Sequence, residues 1–245
     1  MNVAVISDIH ANLPALTTVM GAIDEAGMDE VWCLGDAVGY GASPAECLEI
    51  LFDRCSVFLV GNHDLAALGE IDISTFSPSA AQAALWTREN LGRAELDRLA
   101  GLDGSSAVRE GIGLYHASPR DPVWEYVIET DRAEENLNAQ PERIAMIGHS
   151  HISLYFTRLD EMSRTSSVIA GDGTEIAMGR GEWLVNPGSV GQPRDGDPRA
   201  AWLSLDTESQ KATFHRIEYP VEEAATAIRK AGLPAHLADR LAQGH

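Results

Sequence analysis

Eight side chains with metal-binding or acid–base chemistry follow apolar runs along this sequence. They are Asp8, His10, Asp36, Asn62, His63, His116, His149 and His151. Apart from His63, the set offers two carboxylates, one amide oxygen and four imidazoles, too many ligands for one tetrahedral ion and suited to two ions that share a carboxylate. The set has no thiolate, which disfavours a structural zinc site. Mixed nitrogen and oxygen ligands fit Mn²⁺, Fe, Zn²⁺, Co²⁺ or Ni²⁺ and do not choose among them.

Asp8 and His10 lie just beyond an apolar run, Val3 to Ile6, that stops at Ser7. A short apolar run that ends in polar residues is typical of a strand buried on both faces of a parallel sheet. Such sheets bind ligands in the crevice beyond the carboxyl ends of their strands, so both side chains lie where a site is expected. Residues two apart in an extended segment point to the same side and could reach one ion.

The other members of the set follow later apolar runs in the same way. In chain order, Asp36 follows 31–34, Asn62 and His63 follow 56–60, His116 follows 112–115, and His149 and His151 follow 143–147. A single histidine at a strand end is more often hydrogen-bonded than metal-bound. Random strand ends would not produce this ordered series, so we expect its members to converge at one edge of the fold.

Helices are predicted between these runs by the spacing of apolar side chains. The sequence predicts a helix over Leu13–Ala26, a second that Pro44 opens, and a C-terminal helix from Pro220 to Gly232 followed by a short one. Strands dominate 105–217, and Asp172-Gly173 between two of them predicts a hairpin turn. One α/β domain over 1–245, with two sheets face to face and helices outside, accounts for this order.

Residues 65–104 are predicted to be helical, with one helix from Ser77-Pro78 to Leu91 and a shorter one after Arg93. Two roles fit this segment. It could cover the site as a lid, or it could form an outer layer packed on the sheet. The second role is favoured because connecting helices usually bury their apolar face against a sheet.

The composition limits the partners of the chain. It has 245 residues with 18 Lys+Arg against 37 Asp+Glu, a net charge of −19, which repels polyanions and disfavours a nucleic-acid polymer as partner. Three cysteines without metal-type spacing indicate a reducing compartment, with Cys33 in the core. With neither a signal peptide nor an apolar run near ~18 residues, we expect a cytoplasmic protein without membrane contact. The sequence is compatible with a homo-oligomer.

The ordered series resembles the calcineurin-like metallophosphoesterases, whose motifs are DxH, GD, GNH(D/E), H and GHxH. The matching residues here are Asp8-Ile9-His10, Gly35-Asp36, Gly61-Asn62-His63-Asp64, His116 and Gly148-His149-Ser150-His151. The later Asn-Pro-Gly-Ser-Val run at 186–190 is similar to the small bacterial and archaeal, phosphodiesterase-like branch. The resemblance implies a four-layer α/β/β/α sandwich of two mixed sheets.

The resemblance also implies the ligand sets. One divalent ion would be held by Asp8, His10, Asp36 and His151. The other would be held by Asp36, Asn62, His116 and His149, with Asp36 bridging.

Two such ions would leave positive charge to attract phosphate inside an acidic body. They would clamp the phosphoryl oxygens and lower the pKa of a bridging water, whose hydroxide attacks phosphorus in line with the leaving oxygen. His63, which the motif does not need as a ligand, is the candidate to protonate or stabilise the leaving group.

Three further residues are predicted to contact phosphate or substrate, namely Asn12, Tyr40 and Arg194. A guanidinium suits bidentate phosphate recognition, but Arg194 could equally pair with Asp195 or Asp197 on the surface. Trp124 and Tyr126 could stack on a nucleobase, although core packing is the favoured use of these rings.

The chain departs from the family's phosphoprotein phosphatases, which extend GD to GDxxDRG. The run here is Gly-Asp-Ala-Val-Gly-Tyr at 35–40, so the Asp beside the catalytic histidine and the phosphate-binding Arg are missing. We therefore expect Asp64 to orient His63.

The expected activity is that of a metal-dependent phosphoric ester hydrolase acting on small phosphodiesters or phosphomonoesters. The alternatives are a nucleotide pyrophosphohydrolase or phosphoprotein phosphatase on the same scaffold, and an inactive protein-binding scaffold. The complete ligand set disfavours the inactive scaffold.

Overall fold

The computed structural model describes residues 1–160 and 162–245, which form two mixed six-stranded sheets. In spatial order the first sheet contains β3 (Val57–Phe58), β2 (Glu30–Cys33), β1 (Asn2–Ile6), β11 (Ala200–Asp206), β12 (Lys211–Ile217) and β9 (Glu175–Ala177). The second contains β4 (Ser106–Arg109), β5 (Ile112–Tyr115), β6 (Ile144–Met146), β10 (Glu182–Pro187), β7 (Ser153–Arg158) and β8 (Ser166–Ile169). The parallel strands lie at one edge of the first sheet (β3, β2 and β1) and at the centre of the second (β5, β6 and β10). The loops that follow them carry the site.

In residues 1–160 and 162–245, eight α-helices connect or cover the strands. They are α1 (Leu13–Ala26), α2 (Pro44–Arg54), α3 (Asn62–Leu68), α4 (Pro78–Asn90), α5 (Arg93–Ala100), α6 (Thr130–Ala139), α7 (Val221–Lys230) and α8 (Ala235–Asp239). Short 3₁₀ turns lie at Ile73–Thr75 and Arg240–Gln243. No helix in the described part of the chain is long and apolar enough to cross a membrane.

Three apolar clusters separate four layers. Successive residues of β1 point to opposite faces. Ala4 and Ile6 therefore pack against the helices on one side, and Val3 and Val5 pack against the second sheet on the other. A third cluster, which includes Leu137, lies between the second sheet and α6. The predicted α/β/β/α sandwich of two mixed sheets is confirmed.

The helix predicted over Leu13–Ala26 is observed with those bounds. Its apolar stripe is buried, and Gly27 ends it with φ 65°. Cys33 is buried in the core, as predicted. By contrast, α6 was not predicted. Few of its side chains are apolar, so the segment does not stand out as one that packs on a sheet.

The hairpin predicted at Asp172-Gly173 is wrong. The chain does turn here, since Thr174 N donates to Gly171 O at 3.1 Å. However, β8 before the turn pairs with β7, whereas β9 after it pairs with β12 in the other sheet. The turn therefore carries the chain between the two sheets. Asp172 accepts a hydrogen bond from Arg216 N at 2.9 Å and also pairs with Arg199.

Candidate metal centre and substrate cleft

The strand ends that carry the candidate ligands have a strained backbone. Among the residues that the structure describes, nine non-glycine residues have positive φ, and five of them belong to the predicted set. Those five are Asp8, His10, Asp36, His149 and His151, with φ between 49° and 64°. Non-glycine residues rarely adopt this region, and such strain collects at functional sites where the surroundings impose it.

Main-chain contacts between neighbouring loops hold this conformation. Asp8 N donates to Gly35 O at 3.0 Å, and His10 N donates to Asp36 O at 2.9 Å, so the loops after β1 and β2 continue to pair beyond the sheet. Gly61 is required by close approach, because a Cβ there would overlap the Asp36 carboxylate. The glycine of the Gly-Asn-His-Asp run thus allows the loop after β3 to join the other two.

One group of ligands surrounds Asp8. Its Oδ1 lies 3.5 Å from His151 Nε2 and 4.0 Å from His10 Nε2. All three side chains are buried, and Asp8 Oδ1 has no hydrogen-bond partner. Asp8 Oδ2 is fixed from behind by the main-chain NH of His149, which donates to it at 3.0 Å.

A second group contains Asp36, His116 and His149, whose possible ligand atoms lie within 4.8 Å of one another. Asn62 completes it, with Oδ1 3.2 Å from His116 Nε2. Asp36 Oδ2 is 3.6 Å from His116 Nε2 and also 3.6 Å from His10 Nε2 of the first group. Asp36 is therefore shared between the two groups, and the structure brings all seven predicted ligands together.

The imidazoles direct unprotonated nitrogens into the cluster. Nδ1 of His10, His116 and His151 lies 3.1, 3.0 and 2.6 Å from the main-chain oxygens of Val38, Leu34 and Gln192, respectively. A carbonyl oxygen only accepts, so Nδ1 carries the proton and Nε2 presents a lone pair.

These lone pairs face other acceptors. Nε2 of His10 and Nε2 of His151 are 3.1 Å apart. His149 Nε2 is buried without a hydrogen-bond partner. Two facing lone pairs and an orphaned carboxylate oxygen repel one another unless a cation lies between them. The donor set therefore fits divalent cations bound by nitrogen and oxygen ligands.

Without bound metal, burial disfavours the charged forms of the carboxylates and imidazoles in this cluster. It raises the pKa of Asp8 to about 7, and the neighbouring Asp36 carboxylate adds to this rise. It also raises the pKa of Asp36 well above its usual value. Burial lowers the pKa values of His10, His149 and His151 well below their usual range. Bound cations would reverse this cost by favouring ionised carboxylates and neutral imidazoles.

His63 lies at the edge of the cluster, with a ring nitrogen within 4.8 Å of possible ligand atoms of both His10 and Asp36. Its ring is 4.9 Å from that of His10 and 4.3 Å from that of Tyr40, measured between centroids. Its main-chain NH donates to Asp36 Oδ1 at 2.8 Å, which positions the shared carboxylate. Its Nδ1 has no hydrogen-bond partner, and burial lowers its pKa to about 3.

The expectation that Asp64 orients His63 is wrong. Asp64 Oδ1 accepts a hydrogen bond from Val38 N at 3.1 Å, and its Oδ2 accepts one from Gly61 N at 2.9 Å. The carboxylate thus caps α3 and ties it to the loop after β2. The ring of His63 is instead packed against Gly39, where a Cβ would lie 2.5 Å from Nδ1.

The prediction that Asn12 contacts the substrate is also wrong, because its amide makes hydrogen bonds within the fold. Its Oδ1 accepts a hydrogen bond from Ala15 N at 3.2 Å and caps α1. Its Nδ2 donates to Gly191 O at 2.8 Å and to the Tyr219 hydroxyl at 3.3 Å. Asn12 is buried and does not line the cleft described below, so the structure does not support substrate binding by this residue.

Tyr40 and Arg194 line a cleft of about 390 Å³ that opens onto the cluster. Arg194 does not pair with the two aspartates named as alternatives, since Asp195 pairs with Arg216 and Asp197 pairs with Arg199. Its Nη2 donates to Gln192 Oε1 at 2.9 Å, and its buried Nε has no partner. Arg194 is therefore available to an anion in the cleft.

Aromatic side chains line the mouth of the same cleft. Trp124 is 38% exposed and Tyr126 is 50% exposed, so the favoured use of these rings in core packing is wrong. The Tyr126 ring lies 4.0 Å from that of His149. Phe76 contacts the Trp124 ring edge-to-face at 5.7 Å.

The lining residues that were not predicted from the sequence include Phe76 and Arg240. Neither lies near a recognisable motif, so no sequence pattern identified them. Part of the predicted helical segment, 75–80, borders the cleft, whereas Leu91 and Leu99 from its later part pack in the core. The segment thus contributes both to the cleft wall and to the outer layer.

Comparison with known proteins agrees with this architecture. The model of the calcineurin-like phosphoesterase superfamily domain matches residues 1–210. An uncharacterised protein of Methanocaldococcus jannaschii is 36% identical over 99% of this chain and 98% of its own. The crystal structure of a metallophosphoesterase from Sphaerobacter thermophilus is 37% identical, covers 100% of this chain and 99% of its own, and superposes with a TM-score of 0.90.

A hypothetical protein from Pyrococcus horikoshii shares the fold with a TM-score of 0.79 at 21% identity, covering 100% of this chain and 98% of its own. The match to the family model spans every motif from Asp8 to His151. The chain therefore belongs to the calcineurin-like phosphoesterase superfamily.

Proposed function

We propose that this protein hydrolyses small phosphodiesters or phosphomonoesters at a centre of two divalent metal ions. The observation that carries this proposal is the position of Asp36, whose Oδ2 is equidistant, at 3.6 Å, from an imidazole of each ligand group. A carboxylate so placed can bridge two ions. Manganese, iron, zinc, cobalt and nickel all suit the donor set.

Each of the two ligand groups described above would hold one ion. Asp8, His10, Asp36 and His151 would hold one ion; Asp36, Asn62, His116 and His149 would hold the other. When bound, the ions would supply Lewis acidity that stabilises charge on the phosphoryl oxygens and makes water a stronger nucleophile at neutral pH.

The residues around the cluster would bind and orient the phosphate. Arg194 presents a guanidinium to the cleft, and a guanidinium can donate two parallel hydrogen bonds to phosphate oxygens. Tyr40 lies between this arginine and the cluster, with its ring 5.7 Å from Arg194 Cζ and 4.7 Å from the ring of His10.

His63 would act on the leaving group. It lines the cleft, touches the rings of Tyr40 and Phe76, and holds Asp36 through its main chain rather than its ring. Without an anion in the cleft the ring is neutral, because burial lowers its pKa to about 3. The negative charge of an entering phosphate raises this pKa and favours transfer or sharing of a ring proton with the leaving oxygen.

Hydrolysis of bis-p-nitrophenyl phosphate tests the proposal. The metal-free protein is titrated separately with Mn²⁺, Ni²⁺, Co²⁺ and Zn²⁺, and we expect at least one ion to produce turnover that saturates near two ions per chain. Asp36→Asn should abolish it, because the shared ligand loses its charge. Arg93→Gln, which changes an exposed residue of α5, is the control variant. It should have the same activity as the unaltered protein. Absence of hydrolysis with all four ions would instead favour an inactive scaffold.

A further inference from the structure

The ring of His63 lacks the hydrogen bond that fixes the neighbouring imidazoles. A main-chain oxygen accepts from Nδ1 of His10, His116 and His151. Nδ1 of His63 is buried and has no partner among the described residues, and the Asp64 carboxylate is bonded to main-chain NH groups instead. A group that acts on a leaving oxygen must nevertheless be held in a productive orientation. Packing contacts are left to provide that restraint.

Three rings contact the imidazole of His63. The distances between centroids are 4.3 Å to Tyr40, 4.9 Å to His10 and 5.0 Å to Phe76. Gly39 adds a close main-chain contact, because a Cβ there would lie 2.5 Å from Nδ1. Tyr40, His10 and Gly39 belong to the loops after β1 and β2, which also carry metal ligands. Phe76 is the member of this set that comes from elsewhere in the chain.

Phe76 lies between the 3₁₀ turn at 73–75 and α4, in a segment that carries none of the seven predicted ligands. Its main chain is held from both directions. Phe76 N donates to Ile73 O at 3.0 Å, which closes the turn, and Ser77 Oγ accepts from Ala80 N at 3.3 Å, which caps the helix. Local structure therefore sets where the Phe76 ring lies.

Trp124 restrains the same ring. The Phe76 and Trp124 rings meet edge to face at 83°, with centroids 5.7 Å apart, whereas the planes of Phe76 and His63 are inclined at 47°. The NH of Trp124 donates to Asp121 Oδ1 at 3.1 Å, which holds this partner in turn. A ring that packs against two others is limited in its own rotation. Phe76 thus offers the imidazole a fixed wall.

We propose that Phe76 is a positioning residue for His63, which it holds in the orientation that acts on the leaving group. The inference rests on the proposed hydrolysis for the role of His63. Without the Phe76 ring the imidazole would gain space to turn about its Cβ–Cγ bond, since no hydrogen bond at Nδ1 opposes that rotation. The helical segment 65–104 would then contribute to the reaction through one side chain, besides forming an outer layer.

A double-mutant cycle on bis-p-nitrophenyl phosphate tests this role in the full chain, loaded with whichever of the four ions gives turnover. Phe76→Ala should lower kcat about 10- to 100-fold, since a small misplacement of a reacting group can cost about 10²-fold. In the His63→Gln background the same change should lower kcat by less than about 2-fold, because no imidazole remains to be positioned. A residue that only supports the fold or the metal cluster would lower kcat in both backgrounds.

Two further variants accompany the cycle. Phe76→Tyr keeps the ring and should retain most of kcat. Phe52→Ala is the matched control, because it removes a ring contact of similar geometry, 5.2 Å between the centroids of Phe52 and Phe58, from outside the cleft lining. It should leave kcat unchanged. Metal content and Tm are measured for each variant, and Phe76→Leu replaces Phe76→Ala if the latter does not fold.

Crystal structures show the ring without any turnover. We expect one orientation of the His63 ring in the unaltered, Mn²⁺-loaded protein, and a rotated or split ring in the Phe76 variant under the same conditions. The distance between His63 and Tyr40 centroids, 4.3 Å here, is the quantity to compare.

An unchanged kcat in Phe76→Ala, an equal loss of kcat in both backgrounds, or a His63 ring that keeps its orientation in the variant would overturn the inference. A higher KM with unchanged kcat would show that Phe76 contacts substrate instead. If no ester is hydrolysed but the ring turns in the variant, only the proposed hydrolysis fails. If the unaltered protein hydrolyses the ester and the ring does not turn, only the positioning role fails.

Discussion

At the scale of single residues, the site depends on which nitrogen of each imidazole carries the proton. Main-chain oxygens accept from Nδ1 of His10, His116 and His151, so their Nε2 atoms face one another and the carboxylates as acceptors. Residue types and spacing were enough to predict that the seven candidate ligands lie together. They did not predict the roles of Asn12 and Asp64, because a polar residue after a strand can equally cap the next helix.

His63→Gln tests the role of the ring beside the cluster. Glutamine has no proton to transfer at neutral pH, so we expect kcat on bis-p-nitrophenyl phosphate to fall by about 10²- to 10⁴-fold. Metal content should stay the same, because the proposed ligand sets do not include the His63 ring and its main-chain contact with Asp36 is kept. Plasma emission spectroscopy of the dialysed variant provides the metal count. Near-native turnover, or loss of metal together with turnover, would contradict this role.

At the scale of elements, turns and caps bring the ligands together. Helix α1 was predicted with its observed bounds because its apolar stripe, its cap and its terminal Gly27 all agree. The Asp172-Gly173 turn was misassigned because a tight turn marks a reversal of the chain and not which sheet the next strand joins. Helix α6 was missed because packing on the second sheet, rather than its own pattern, stabilises it.

Asp64→Ala tests the element that carries Asn62 and His63. Removing the carboxylate leaves the buried NH groups of Val38 and Gly61 without acceptors, at about 1–3 kcal/mol each. We expect the free energy of unfolding of the metal-free protein, measured by urea denaturation, to fall by about 2–5 kcal/mol. Asp72→Ala is the control, since the Asp72 carboxylate caps an exposed turn and its removal should lower the free energy of unfolding by less. A loss at Asp64 no larger than at Asp72 would refute the structural role.

At the scale of the whole molecule, an acidic chain surrounds a cluster whose ligand atoms suit cations. The net charge of −19 favours uptake of divalent ions and repels polyanions, and two arginines line the cleft. The sequence predicted the charge and the layers. It did not predict the cleft wall, because Phe76, Trp124 and Arg240 come from distant segments and meet only after the two sheets pack.

The pH dependence of the stabilisation by bound metal tests whether the Asp8 carboxylate binds a cation. In the metal-free protein burial raises the pKa of Asp8 to about 7, against an ordinary value of 3.8. The native chain then binds more protons than the unfolded chain between these values, so its stability falls as pH rises through that window. Bound metal keeps Asp8 ionised, and the ligand histidines are neutral in both native forms.

We therefore expect the difference in Tm between the Mn²⁺-loaded and EDTA-treated protein to be larger at pH 7 than at pH 5, measured by differential scanning calorimetry. Metal binding also stabilises the native state by mass action, so loading must be saturating at both pH values. A difference that shrinks from pH 5 to pH 7 would show that Asp8 does not bind the metal as a carboxylate.

The sharing of Asp36 between two ions is the claim on which the proposed chemistry depends. Anomalous diffraction from Mn²⁺-loaded crystals measures it directly. We predict two anomalous peaks per chain, one on each side of Asp36 and both within coordination distance of its carboxylate. A single peak, or two peaks of which only one contacts Asp36, would contradict the account.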